Sequence, residues 1–285
     1  MDIRQLEYLV AIEEEGTVSK AAEKLHMTQP AVTRSVQRLE EELGCTFFDR
    51  TKNSVVLNDD GRVVISYAKN VLREASAMRE GIQSYLENKN KIRIASCAPA
   101  PVWGLKSIYH DQKTETLLTE DAEVLLEEFN SYKASLLVMD YAVHAKETVC
   151  LPYVKEQLYI AVLPDDPLAM CPAVTFEQIN GTVMLVGSKV GYWAQVIEEG
   201  MPDSRMVYEE ADTYAVLQRV TSLPVFRTNL TIPHYRTMEN RIYIPITDPQ
   251  ASLQFYVHYR KNDRRFEDLK EQLKGIRWNL VEHVL

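Results

Sequence analysis

Residues 17–43, TVSKAAEKLHMTQPAVTRSVQRLEEEL, constrain this chain more than any other stretch. They predict a short helix over about Ser19–Leu25, a tight turn at His26–Met27 and a longer helix from Gln29. On the longer helix Val32, Val36, Leu39 and Leu43 recur on one stripe of a 3.6-residue period. Gln29, Thr33, Arg34, Gln37 and Arg38 fall off the stripe and form a donor-rich polar face. Ser19 and Thr28 are the expected N-caps, and Pro30 sits in a first turn where its missing N–H costs nothing. Ala21 and Ala22 keep the shorter helix thin enough to be crossed closely. Two helices joined in this way offer side chains to the DNA major groove.

The flanking residues extend the pattern. Residues 3–14 carry one apolar stripe, and Gly16 ends that helix. Downstream, CTFFDRTKNSVVLNDDG reads as two short strands, Phe47–Phe48 and Val55–Leu57, around a turn at 51–54. Arg50 and Lys52 lie near the tip of this wing, placed to touch sugar–phosphate backbone. The formal net charge of −9 runs against the usual basic footprint of a DNA binder. Residues 1–60 themselves hold seven Lys/Arg against twelve Asp/Glu. The sequence allows Glu13–Glu15 and Glu40–Glu42 to face away from phosphates that Lys20, Arg34, Arg38, Arg50 and Lys52 approach.

With AAEKLHMTQPAVTRSVQRLEEELG followed by FFDRTKNSVVLNDDG, residues 1–61 resemble the winged helix-turn-helix of LysR-type transcriptional regulators. Thr28 and Thr33 stand where that family often has Ser, and Asn58 where it often has Thr. The resemblance implies base contacts from Gln29, Pro30, Thr33 and Arg34, supported by Thr28, Arg38, Arg50 and Lys52. It also implies a near-palindromic double-stranded operator read by a homodimer, with a homotetramer as the larger assembly.

From Asp60 to about Asn88 one long helix is expected. Val64, Val71, Met78 and Tyr85 repeat every seven residues, and Ala68, Ala75 and Ile82 repeat between them. These are interleaved heptad positions and the expected dimerisation seam. Asn88–Lys91 is a polar hinge, and beyond it strands alternate with helices as in an α/β domain with mainly parallel sheets. The expected strands are Ile92–Ser96, Ala134–Asp140, Tyr159–Leu163, Val183–Val186, Arg205–Tyr208 and Leu253–Tyr259. Residues 156–169 (EQLYIAVLPDDPLA) and 176–182 (FEQINGT) are similar to the segments that cross between lobes in the family's effector domain.

The fold class is therefore an N-terminal all-α winged helix-turn-helix, a long linker helix and a C-terminal α/β two-lobed domain like type 2 periplasmic binding proteins. The expected divisions are 1–60, with the helix-turn-helix over about 18–37; 61–90 for the linker; and 91–285 for the effector domain. Its first lobe takes about 91–161 plus 263–285, and its second about 162–262.

A small-molecule co-inducer is expected in the crevice outside the strand ends. The loops there are Ser96–Pro101, Asp140–Tyr141, Gly187–Gly191 and Val225–Thr228, which offer Ser96, Cys97, Ala98, Ser188, Lys189, Arg227 and Thr228. Arg227 suits a carboxylate, and it equally suits an internal ion pair. Trp103, Tyr192 and Trp193 are candidates to line the pocket or fill the core. No cofactor or metal is expected, because the six histidines share no ligand spacing and no catalytic fingerprint appears. The four cysteines form no CxxC pair, as for reduced thiols in a cytoplasmic protein. No apolar run is long enough for a membrane span, and no signal peptide precedes the first helix. Two alternatives remain: a redox-responsive regulator using Cys150 and Cys171, and a small-molecule binding protein whose N-terminal module only dimerises.

Overall fold

The computed structural model describes residues 1–50, 55–188, 190–235 and 239–278. It divides into two compact units, Met1–Gln83 and Ser84–Leu285.

The first unit begins with α1 (Ile3–Glu15), α2 (Val18–Lys24) and α3 (Gln29–Leu43). Asp2 and Gln5 form a capping box at the start of α1, and Gly16 ends it at φ 70°. The cap of α2 is Thr17 rather than the expected Ser19: Thr17 Oγ1 accepts the Lys20 N–H. Thr28 holds the cap position of α3 but makes no side-chain cap bond there. His26 takes a positive φ of 53° in the turn between α2 and α3. Val32, Val36 and Leu39 are buried with Leu9, Ile12, Ala21 and Phe47, while Leu43, expected on the same stripe, is exposed.

Strands β1 (Phe48–Arg50) and β2 (Val55–Leu57) pair antiparallel as the wing. The following helix α4 (Asp59–Asn88) is anchored by Asn58, whose Oδ1 accepts the Gly61 N–H at 2.8 Å and whose Nδ2 donates to Thr46 O at 2.8 Å. Gly61 has a steric reason for its identity. A Cβ there would lie 2.0 Å from the Phe47 carbonyl oxygen.

In the second unit a single nine-stranded sheet runs β4-β3-β5-β11-β6-β9-β7-β8, with β10 against β6. The strands are β3 (Ile92–Ser96), β4 (Thr114–Leu118), β5 (Leu136–Met139), β6 (Thr148–Val162), β7 (Val183–Gly187), β8 (Arg205–Glu209), β9 (Val225–Thr228), β10 (Ile242–Pro245) and β11 (Ser252–Arg260). Helices α5 (Pro99–Ile108), α6 (Ala122–Asn130), α8 (Trp193–Gly200) and α9 (Ala211–Val220) separate them, with shorter α7 (Phe176–Ile179), α10 (Ile232–Tyr235) and α11 (Leu269–Lys274).

The sheet is mixed, not mainly parallel. Pairs β3–β4, β3–β5, β7–β8 and β7–β9 are parallel, whereas β6 and β11 pair antiparallel with each other and with their other neighbours. Two buried clusters result. One gathers Ile92, Ile94, Leu105, Leu125, Leu136 and Phe255; the other gathers Leu158, Ile160, Phe176, Met184, Trp193 and Ile244. Strand β6 serves both, pairing with β11 over its first ten residues and with β9 and β10 beyond. Strand β11, which lies inside the 162–262 range, contributes Phe255, Val257 and Tyr259 to the first cluster. Residues Val225–Thr228, expected as a loop, are strand β9.

Candidate nucleic-acid interface and lobe cleft

The polar face of α3 stands open. Thr28, Gln29, Pro30, Arg34 and Arg38 are exposed, with Thr33 and Gln37 half-buried. Gln29, Thr33, Gln37 and Glu40, at spacings of four, four and three, line a concavity of about 260 Å³ floored by Ile12, Val18, Val36, Phe48 and Val55. The side chain of Arg50 and the whole of Lys52 lie outside the described residues.

Part of the acidic background is engaged within the unit. Lys24 Nζ bridges Glu14 at 2.9 Å and Glu15 at 3.0 Å, and Lys69 meets Glu13 at 3.0 Å. Glu42 holds the N-terminal ammonium at 2.6 Å. Glu40 Oε1 accepts the Phe47 N–H at 2.8 Å. Such exposed pairs add little stability, but they fix where the charge lies. None of the ion pairs among the described residues involves Lys20, Arg34 or Arg38, so these cations remain available to phosphate and base edges.

On α4 the expected seam divides between two faces. Ala68 is 2% exposed and packs with Ile65 in the unit's own core, and Val64 leans on the same core. Ala75 is half-buried. Val71, Met78, Ile82 and Tyr85 are exposed, and Val63 and Tyr67 join them on that side. At 100° per residue these six fall within about a third of the helix circumference. Val63 and Tyr67, rather than Val64 and Ala68, line up with the exposed positions further along, because a straight helix drifts against a seven-residue repeat.

In the second unit the ends of β3 and β7 come together. A Cβ on Gly191, at φ 61°, would lie 3.3 Å from Cys97 O and 3.4 Å from Pro99 Cδ. Ser96 is fully buried; its hydroxyl donates to Ala98 O at 2.7 Å and so shapes its own turn. Cys97 and Ala98 are buried beside it. Burial, with the charges of Asp140 and Glu156, pushes the Cys97 thiol up to about 12, which leaves it protonated and a poor nucleophile. Thr228 is buried, and Ser188 is exposed with its N–H on Glu209 O. Lys189 lies outside the described residues.

Arg227 does not reach this cleft as a free cation. It is 3% exposed. Its Nε and Nη2 fork onto Glu239 at 3.1 and 2.7 Å, Nη1 donates to Tyr214 Oη at 2.8 Å, and Nη2 also donates to Gln218 Oε1 at 2.7 Å. The Tyr235 ring covers its guanidinium at 4.1 Å. This is the internal ion pair that the sequence also allowed for Arg227, and it leaves the guanidinium engaged rather than open to a ligand carboxylate.

The group that sequence reasoning missed is Glu156. It is buried on β6, and its Oε2 accepts the Trp193 Nε1–H at 3.1 Å. Burial pushes its carboxyl up to about 7 against the pull of hydrogen bonds from Thr228 and Trp193. A single Glu beside a crossing strand carries no spacing signal that distinguishes it from a solvated one.

The two cysteines of the redox alternative lie apart. Cys150 is on β6 between Val149 and Leu151, which pack on the first cluster, whereas Cys171 packs on the second. About eight strand residues, roughly 26 Å, separate Cys150 from Leu158, where β6 enters that second cluster. A disulfide needs Cα atoms within about 7 Å.

The winged helix-turn-helix of α1–β2 also matches a known family in sequence: the family described as "Bacterial regulatory helix-turn-helix protein, lysR family" covers residues 3–62. Residues 3–62 are thus a helix-turn-helix of the lysR type. Over nearly its whole length the chain is 24% identical to the DNA-binding transcriptional dual regulator OxyR of Escherichia coli K12, covering 96% of this chain and 95% of that one. It is 41% identical over 87 residues to the SDS degradation transcriptional activation protein of Pseudomonas sp. strain ATCC 19151, covering 30% of this chain and 28% of that one. In fold it is similar to Vibrio fischeri DarR, solved in complex with DNA, with a TM-score of 0.55 at 16% identity and 99% of each chain covered. The chain is accordingly a DNA-binding transcriptional regulator that carries a helix-turn-helix of the lysR type over residues 3–62.

Proposed function

We propose that this regulator binds a near-palindromic double-stranded operator as a homodimer that assembles further into a tetramer. A small-molecule co-inducer, held between its α/β lobes, controls it. Gln29, Pro30, Thr33 and Arg34 read base edges, while Thr28, Arg38, Arg50 and Lys52 hold the backbone. The observation that carries this reading is the exposed face of α3, where Arg34 and Arg38 stand outside the ion pairs found among the described residues of an otherwise acidic unit.

The effector site proposed here centres on Cys97, Ala98, Gly191, Trp193, Thr228 and Glu156, with Ser96 and Ser188 shaping the loops. Closure of the lobes around the ligand shifts the population of dimer arrangements, and so the spacing of the two reading heads. The chain acts in the cytoplasm and without catalysis. Among the described residues no helix is long and apolar enough to cross a membrane, and no cluster of metal-ligating side chains occurs.

The test is selection of duplexes from a randomised pool by the full-length protein, followed by anisotropy titration of the enriched sequence. Arg34→Ala is expected to weaken binding by about 1–3 kcal/mol, the value of one bidentate base contact. Recovery of no enriched sequence by the wild type overturns the operator-binding reading. Screening metabolites by thermal shift identifies the ligand, since binding to the folded state raises its melting temperature.

A further inference from the structure

The side chain of Ser19 has no capping task, because Thr17 fills that role at the start of α2. Its hydroxyl instead reaches across the turn and donates to Gln29 Oε1 at 3.1 Å. The bond joins α2 to the first residue of α3, and both partners are exposed on the face that carries Thr33 and Arg34. The turn between them is short and set by the positive φ of His26, so the two side chains meet in a fixed relation.

An amide carries its oxygen and nitrogen on opposite sides of one carbon. Anchoring the Gln29 oxygen to α2 therefore turns its NH₂ group away from α2. A glutamine that reads adenine needs both ends at once, its oxygen accepting from N6–H and its nitrogen donating to N7. A glutamine whose oxygen is held toward α2 by Ser19 keeps one lone pair there, but the groups it turns outward are its donors. Guanine is the purine that answers donors alone, because N7 and O6 both accept. At adenine the same NH₂ would face the N6–H donor and leave it unsatisfied.

We propose that Ser19 is a positioning residue for base recognition: by holding the Gln29 amide oxygen it sets Gln29 to read guanine rather than adenine. The inference rests on the operator-binding reading above and adds to it the identity of one base pair.

The experiment compares duplex pools enriched by the full-length wild type, Gln29→Ala, Ser19→Ala and Ser19→Thr. The position at which Gln29→Ala alone flattens the preference is the one that Gln29 reads. The wild type is expected to select a G·C pair there, and Ser19→Thr, which keeps the hydroxyl, to do the same. Ser19→Ala frees the amide to rotate and is expected to move the choice toward A·T by roughly fivefold or more, with every other position unchanged. An A·T choice by the wild type at that position overturns the proposal. So does a Ser19→Ala profile identical to wild type, or one weakened equally at all positions. If the wild type enriches no sequence at all, the operator-binding reading itself fails, so the two failures are told apart.

Discussion

The indole N–H of Trp193 donates to Glu156 Oε2 at 3.1 Å, and the bond ties the strand that serves both clusters of the effector unit to the first residue of α8. Both residues are buried, so the bond operates in a low dielectric with no competing water. It is a weak restraint with a titratable end. Glu156 holds its proton up to about pH 7 because burial disfavours the carboxylate, while Thr228 and Trp193 pull the other way.

That titration makes stability depend on pH in a stated direction. A carboxyl whose folded pKa lies above its unfolded value binds more protons in the native state, so stability falls as pH rises between the two values. The contribution is fully present below about pH 4.5 and is lost through about pH 7. Glu156→Gln keeps an acceptor for the Trp193 N–H and carries no charge. Urea denaturation at pH 8 is expected to show the variant more stable than wild type by about 1–3 kcal/mol, with the difference closing as pH falls toward 4.5 and below. Equal stability of the two proteins at pH 8 counts against a buried charge at this position.

Arg227 yields a prediction of opposite sign. Its fork onto Glu239 lies where both side chains are almost wholly excluded from water, at 2% and 4% exposure. Removing one partner strands a charge that burial will not tolerate. Glu239→Ala is expected to cost about 3–5 kcal/mol in denaturant unfolding of the effector unit. An unchanged transition midpoint would show that water reaches Arg227 when its partner is gone.

Much of the first unit was legible because its signals are local. The stripe of Val32, Val36 and Leu39 and the left-handed cap at Gly16 need only a few neighbours to take effect. The cap of α2 was misplaced by two residues, since Thr17 and Ser19 offer the same hydroxyl chemistry on either side of a helix start.

The effector unit hid more. Strand β6 begins at Thr148, yet Pro152 lies inside it, and a proline argues against a strand paired on both sides. The chain absorbs it at a β-bulge, where Phe255 pairs with Val154 and Tyr256 with Pro152, so that Tyr153 is the extra residue. Strand β4, TETLL, is half-polar because it forms an edge of the sheet. The pairing of Arg227 with Glu239 was beyond reach for a different reason. Twelve residues apart, Arg227 on β9 and Glu239 ahead of β10, they share a contact that only the folded chain makes.

Gly61 predicts a local failure of the wing. Its missing side chain lets α4 start against the Phe47 carbonyl, and backbone cannot retreat as a flexible side chain can. Gly61→Ala is expected to destabilise the first unit by about 1–3 kcal/mol through overpacking. Differential scanning calorimetry should place the loss in the transition of residues 1–83 and leave that of the effector unit unmoved.

The two faces of α4 can be separated by where a charge is placed. Tyr67 is 68% exposed and Met78 61%, whereas Ala68 is sealed against Ile65 and the α1–α3 core. If the outer stripe of Val63, Tyr67, Val71, Met78, Ile82 and Tyr85 pairs with a second copy, Met78→Glu puts two like charges near each other across a symmetric seam. Sedimentation velocity is then expected to show a shift from dimer toward monomer, with the melting of the core of residues 1–83 preserved. Ala68→Glu is expected to behave differently. It buries an unpaired carboxylate, and the cost falls on the fold of the first unit rather than on assembly alone. A Met78→Glu protein that sediments as wild type would move the interface off this stripe. Loss of fold by both variants would mean that α4 is held by its partner as much as by its own core.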